Sequence, residues 1–176
     1  MSLRPPVSDK DHIQGNSSAV IELVEYGDFQ CPYCGRAYPI IKGLQQTFGK
    51  DLRFVFRNFP LSKIHPQAKR ASIAAEAACQ QDKFWEMHDI IFENQRHLTA
   101  SALIQYATNI GLNVGQFKND LNNETLKEKV ESDFFSGLRS GVNGTPGLFV
   151  NGEKYNESWE EAPFTLFLQK KLNLPV

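Results

Sequence analysis

Two cysteines, Cys31 and Cys34, stand where an apolar run gives way to a helical pattern. The run from Ala19 to Tyr26 reads as a strand; it stops at Gly27 and Asp28, and the helical pattern begins around Pro32. This junction constrains both the fold and the chemistry. The first turn of a helix has unpaired backbone N–H groups and the positive end of the helix dipole, and both stabilise an anion. A cysteine placed there loses its proton more readily than a free thiol, and the thiolate is the reactive species. Pro32 suits the first helical position, having no N–H to lose and a φ already near helical. Cys34 falls about one turn further in, close enough to close a disulfide with Cys31. Half of a structural zinc site is the competing reading, but that site needs two further ligands at matched spacing. Only Cys79 and the scattered His12, His65, His88 and His97 remain. The redox reading is the stronger one.

At 176 residues the chain is long enough for one domain with a proper core and short for two. A formal net charge of −1 and a pI near 6.4 give no reason to expect a nucleic-acid partner. No apolar run approaches membrane-spanning length. Three cysteines cannot build a disulfide framework, so the fold rests on its core. The first ten residues contain no apolar leader core, which on the chain as given points to the cytoplasm. A periplasmic or cell-envelope location is the alternative if a leader has been removed.

Residues 1–18 are polar and punctuated by Pro and Gly, and read as an arm leading into the first central strand. In that strand Ile21, Leu23 and Glu25 point one way, and Val20, Glu22, Val24 and Tyr26 the other. The helix after the cysteines carries Ile40, Ile41, Leu44 and Phe48 and ends at Gly49. Residues 52–59 form a second strand closed by Pro60, so residues 19–61 are a βαβ unit with a parallel pair.

Helices follow over 68–80 and 84–95, from Thr99 to Gly111, and briefly over 114–121. Asn123 can cap a longer helix on which Leu126, Val130, Phe134 and Leu138 recur every fourth residue until Gly141. Residues 144–152 read as a strand and turn, with a short partner strand over 153–155. A last helix runs to about Lys171, and Ser158 with Glu161 fits a capping box. Phe84, Trp85, Phe134 and Phe135 are expected in the core, and Cys79 as a buried small residue on a helix.

In this order the pieces resemble the thioredoxin fold with a helical insertion, as in the DsbA family of thiol–disulfide oxidoreductases. The resemblance covers about residues 11–172 and rests on Glu25 to Cys34, Arg57 to Leu61, His65-Pro66, Phe84 to His88, and Gly141 to Gly147. It implies an α/β fold made as a single domain over 1–176. Residues 19–61 would be its N-terminal βαβ half and 65–122 the insertion. Residues 123–172 would supply the long helix, a cis-proline loop, a hairpin and the C-terminal helix. It also implies that Cys31 is the nucleophile, Cys34 the resolving thiol and Pro146 a cis-proline beside them. Pro146 at the start of a strand would otherwise be a poor choice, since it offers the ladder no N–H. A cis Thr145–Pro146 bond leaves Thr145 free to pair with an extended substrate, next to Pro32 and Tyr33 on the other side of the thiols. The dipeptide between the cysteines departs from the Pro-His of typical DsbA enzymes; Pro-Tyr is that of glutaredoxins.

Glu25 shares a strand face with Ile21 and Leu23, where burial raises a carboxyl pKa and makes it a plausible proton acceptor. The family places a buried acid at this position, near the resolving cysteine. Asp28 is expected in a turn or capping role. These residues predict exchange of disulfides with protein thiols through a Cys31 mixed disulfide, resolved by Cys34, with no metal and no organic cofactor. Alternatives are a glutathione-linked reductase or detoxifying enzyme, with glutathione as electron partner, and a redox-sensing or chaperone-like binding module. The redox partner that recycles the site is unidentified.

Overall fold

The computed structural model describes residues 1–172. Five strands form one sheet in the order β1-β3-β2-β4-β5: β1 (His12–Gly15), β2 (Ile21–Gly27), β3 (Leu52–Asn58), β4 (Gly147–Val150) and β5 (Glu153–Tyr155). Of these five, only β2 and β3 run parallel; the register aligns Glu25 with Phe56 and Gly27 with Asn58. Between them α1 (Pro32–Phe48) makes the crossover, which a parallel pair requires. β4 returns antiparallel on the other side of β2, placing Tyr26 opposite Gly147. The C-terminal end of β2, the start of α1 and the start of β4 therefore meet at one place. That meeting point holds the cysteines and Pro146.

The alternation of β2 splits the core in two. Ile21 and Leu23 pack with Ala37, Ile41 and Leu44 of α1 and with Phe164 and Leu168 of α7 (Glu161–Leu172). Val24 and Tyr26 face the opposite layer with Val55, Phe59, Val142 and Phe149. Between β3 and the long helix lie α2 (Ala68–Cys79), α3 (Phe84–Glu93), α4 (Ala100–Asn109) and α5 (Val114–Asp120). Their buried faces join the α1 side of the core. Thr99, Asn113 and Asn123 cap α4, α5 and α6 (Glu124–Arg139), each accepting a backbone N–H with its side chain.

Four expectations need correction. The N-terminal arm contains a strand, because β1 pairs antiparallel with β3 along His12 to Gly15. Its anchor is Arg57, which bonds the Asp11 carboxylate at 2.7 and 2.9 Å and the carbonyls of Pro5 and Pro6. Second, the apolar stripe of α6 rotates out of the core. A spacing of four residues advances about 40° beyond a full turn at each step, so Leu126 and Val130 are buried but Leu138 is 48% exposed. Gly137 takes the inner position, against the Phe59 ring, and Phe135 is also largely exposed. Third, Ser158 does not complete a capping box. Its hydroxyl accepts from the Glu160 N–H at 3.4 Å, and α7 starts at Glu161 with Pro163 inside its first turn. Finally, Cys79 is only partly buried, at the C-terminal end of α2.

Candidate active site

Cys31 is the residue immediately before α1 and Pro32 is the helix's first residue, so Cys31 sits at the positive end of the helix. Cys31 and Cys34 are free thiols. Cys34 is fully buried beneath the helix start, while Pro32 and Tyr33 between them lie exposed. Across from them the Thr145–Pro146 peptide is cis. The carbonyl of Thr145 lies 3.5 Å from Cys31 Sγ, and the buried Thr145 hydroxyl oxygen has no hydrogen-bond partner among the described residues.

The two thiols have opposite acidities. Cys31 is lowered to about 5. The largest cause is the hydrogen bond donated by the Cys34 thiol; Thr145 and the N–H groups of Cys34 and Tyr33 add to it and outweigh burial. Cys34 is pushed well above the usual thiol range, first by burial and then by the proton it shares with Cys31 and the charge of Glu25. Glu25 is raised to about 8, mainly by burial. It is 2% exposed, and its Oε1 has no hydrogen-bond partner. An anion-ready sulfur at the surface thus sits above a proton-holding sulfur and a carboxyl able to exchange that proton near neutral pH.

Two residues that sequence reasoning did not connect to the thiols hold this turn. Asp28 is fully buried. Its Oδ1 accepts the N–H groups of Gln30 and Cys31 at 2.7 and 3.2 Å. Its Oδ2 accepts the Leu61 N–H and pairs with His65 Nδ1, both at 2.8 Å. The Asp28 N–H points to Cys34 Sγ at 3.4 Å. The turn role expected for Asp28 is present, and a link to the loop after β3 comes with it. From α3's far end, Gln95 donates its side-chain N–H to the Cys31 carbonyl at 2.7 Å. Residues 37 and 64 apart leave no periodic signal; only the His65-Pro66 pair carried a hint.

A cavity of about 380 Å³ opens beside the cis peptide, lined by Tyr33, Asn143, Thr145, Pro146, Tyr155 and Trp159 among others. A larger apolar hollow of about 650 Å³ lies between Pro60, Leu61, Ile64 and α6, and no candidate site residue lines it.

Comparison with known proteins agrees with this geometry. The family model described as thioredoxin matches residues 7–170. The chain belongs to the thioredoxin family. Within it, solved structures show the DsbA-like form of the fold. Oxidised BdbD from Bacillus subtilis superposes with a TM-score of 0.85 at 24% identity, covering 96% of each chain. The α-DsbA1 protein of Wolbachia pipientis superposes at 0.83 with 18% identity, covering 95% of this chain and 93% of that one. Curated relatives are much longer. The Na(+)/H(+) antiporter NhaA 1 of Mycolicibacterium vanbaalenii is 41% identical over 162 residues, which are 91% of this chain and 26% of that protein. The Na(+)/H(+) antiporter NhaA of Herminiimonas arsenicoxydans is 40% identical over 170 residues, 96% of this chain and 27% of that protein. This thioredoxin-family chain therefore spans about a quarter of the length of the curated relatives it matches. Among the described residues, no helix is long and apolar enough to cross a membrane.

Proposed function

We propose that the chain is a thiol–disulfide oxidoreductase that oxidises protein dithiols. One observation carries the reading: Cys31, lowered to about 5, lies beside the cis Thr145–Pro146 peptide and above a buried Cys34. In the disulfide form a substrate thiolate attacks Cys31 Sγ. The Cys31–Cys34 bond breaks as the substrate–Cys31 bond forms, and Cys34 leaves with the electron pair and takes a proton, for which Glu25 is the nearby donor. The second substrate thiol then attacks its partner sulfur in the mixed disulfide, and Cys31 leaves as a thiolate. The substrate ends oxidised and the two cysteines reduced.

The acidity of Cys31 supports the oxidising direction. A stable thiolate stabilises the reduced state and makes the disulfide a stronger oxidant. Related sites run from a thiol near pKa 7 at about −270 mV to one near 3.5 at about −120 mV. A value of about 5 falls between these, more acidic than the thiol at the reducing end. Thr145 and the cavity beside Tyr33 would hold an extended substrate backbone through β-type pairing. The two sulfurs carry the electrons themselves, and a separate oxidising partner or glutathione disulfide would reoxidise them. The transport named for the longer relatives does not enter this reading.

Cys34→Ala tests it. The oxidised wild-type chain should convert a reduced, unfolded protein dithiol to its disulfide. Cys34→Ala, offered proteins that carry disulfides, should accumulate covalent, reductant-sensitive complexes, while Cys31→Ala should do neither. Normal turnover by Cys34→Ala without glutathione would overturn the two-cysteine mechanism.

A further inference from the structure

The third cysteine stands in a different arrangement. Cys79 Sγ lies 3.9 Å from His12 Nδ1. On the opposite edge of that imidazole, Nε2 meets both carboxylate oxygens of Glu76, at 2.9 and 3.0 Å. The ring is fixed in place, stacked on Phe84 with 3.4 Å between centroids. Glu76 is fixed as well: Asn58 Nδ2 donates to it at 2.6 Å and also reaches Asp133, which in turn holds Lys129. His12 comes from β1, Cys79 and Glu76 from α2, and Phe84 from α3. Three elements thus converge on an ordered sulfur–imidazole–carboxylate row.

We propose that Cys79, His12 and Glu76 form a second thiol-reactive site, where Cys79 takes up a small thiol from a low-molecular-weight disulfide. Cys79 as a residue is partly exposed while His12 and Glu76 are buried, which admits a small reagent better than a folded protein. Attack by Cys79 Sγ forms a new S–S bond and breaks that of the small disulfide. Cys79 is oxidised, the leaving sulfur departs reduced with the electron pair, and the proton once shared between Sγ and Nδ1 goes to it or to solvent. Against its burial, hydrogen bonds to Cys79 and Glu76 and the charge of Glu76 raise His12 to about 9. Glu76 is held below the usual carboxylate range, despite burial, by the His12 hydrogen bond and charge. The sulfur therefore faces a cation at neutral pH. Lys129 works weakly against that charge on His12, and the C-terminal end of α2 gives no help to an anion. The imidazole is the group that makes the site.

The bland competitor is a His12–Glu76 pair that only ties β1 to α2. The two are separated in the full chain carrying Cys31→Ser and Cys34→Ser, with glutathione disulfide as the probe and mass spectrometry as the readout at pH 6.5. A free thiol near pKa 8.5 is only about 1% thiolate there. A cation beside a sulfur favours its attack on a disulfide, and lowered nucleophilicity takes back part of the gain. Folded Cys79 should form the mixed disulfide about tenfold faster than Cys79 in the same chain unfolded in urea. His12→Asn should remove most of that advantage, with the circular dichroism spectrum unchanged. If His12→Asn does not fold, Glu76→Gln, which keeps a side chain of the same shape, should slow the reaction and make it steeper with pH. A folded-state rate at or below the unfolded one would overturn the proposal. So would rates that neither substitution moves.

Discussion

The Asp28 carboxylate pairs with His65 Nδ1 at 2.8 Å, and through that contact the turn before Cys31 is tied to the loop that follows β3. Asp28 also accepts the N–H groups of Cys31, Gln30 and Leu61. Asp28→Ala removes the side-chain acceptor of the Gln30 and Leu61 N–H groups and of His65 from a fully buried place, leaving Cys31 N–H only its bond to the Asp28 carbonyl. We expect a loss of about 3–5 kcal/mol of stability, as for a buried charged partner removed alone, read by urea denaturation. His65→Ala, at the partly exposed end of the same pair, should cost less than half of that. A loss below about 1 kcal/mol for Asp28→Ala would show that the turn is held by other means.

The reactivity of Cys31 should titrate far below that of an ordinary thiol. Brief alkylation with iodoacetamide should give a rate for Cys31 with a midpoint at about pH 5, with Cys34 unlabelled throughout. The Cys34 thiol is the largest source of this acidity, so Cys34→Ala should move the midpoint upward. An unchanged midpoint in that variant would assign the acidity to the helix start alone.

Glu25→Gln separates stability from catalysis. The Glu25 carboxyl is raised from an ordinary 4.5 to about 8 in the folded chain. The folded state thus binds more protons between those pH values, and stability falls as pH rises through the window. Below pH 4 the glutamine should change little. At pH 8 it should stabilise the reduced protein by an amount on the order of 4 kcal/mol, since a tenfold change in proton affinity corresponds to about 1.4 kcal/mol. In the oxidising direction the same variant should slow formation of the mixed disulfide more than its release by the second substrate thiol, because Cys34 takes its proton as that disulfide forms. Denaturation at pH 4 and 8, with stopped-flow kinetics of both steps, checks this; equal slowing of both steps would count against the role.

How far the sequence could be read depended on whether a residue's partner lay nearby in the chain. The Cys31–Cys34 junction is local: a strand, a stop and a helix start, all within residues 19–34. Glu25 on the face of Ile21 and Leu23 follows from strand alternation alone, and the cores confirm that face. His12–Gly15 was hidden because four residues at a sheet edge, only one of them with an aliphatic side chain, are too few to show a periodicity. Their partner strand lies about 40 residues further on, and the residues just before them are tied by Arg57 of that strand. Leu138 misled for a geometric reason, since a stripe at every fourth residue drifts round a helix of 3.6 residues per turn. Phe135 lies off that stripe and is expected inside only as a large aromatic. The links from His65 and Gln95 to the thiols come from the insertion's position over the site, which no spacing within the insertion encodes.

Two helical glycines should respond to alanine with opposite signs. Gly43, inside α1, has no atom within 4 Å of where a Cβ would sit. Alanine there relieves the entropic cost of glycine in a helix and should stabilise by about 1 kcal/mol. Gly137, inside α6, gains the same helical preference but meets the core. A Cβ would lie 2.6 Å from Phe59 Cδ2, 2.7 Å from Cε2 and 3.0 Å from Tyr26 Cδ1. Neither ring can easily move. Phe59 is stacked on Phe134 at 4.5 Å, and the Tyr26 hydroxyl is held by Ser136 at 2.8 Å and Arg57 at 2.9 Å. Overpacking of this kind costs about 1–3 kcal/mol, more than the helical gain at all but its lower end. Gly137→Ala should therefore lower stability, by up to about 2 kcal/mol net, while Gly43→Ala raises it. Thermal or urea denaturation of the two variants side by side reads the sign directly. A stabilised Gly137→Ala would show that α6 can draw away from the sheet without loss.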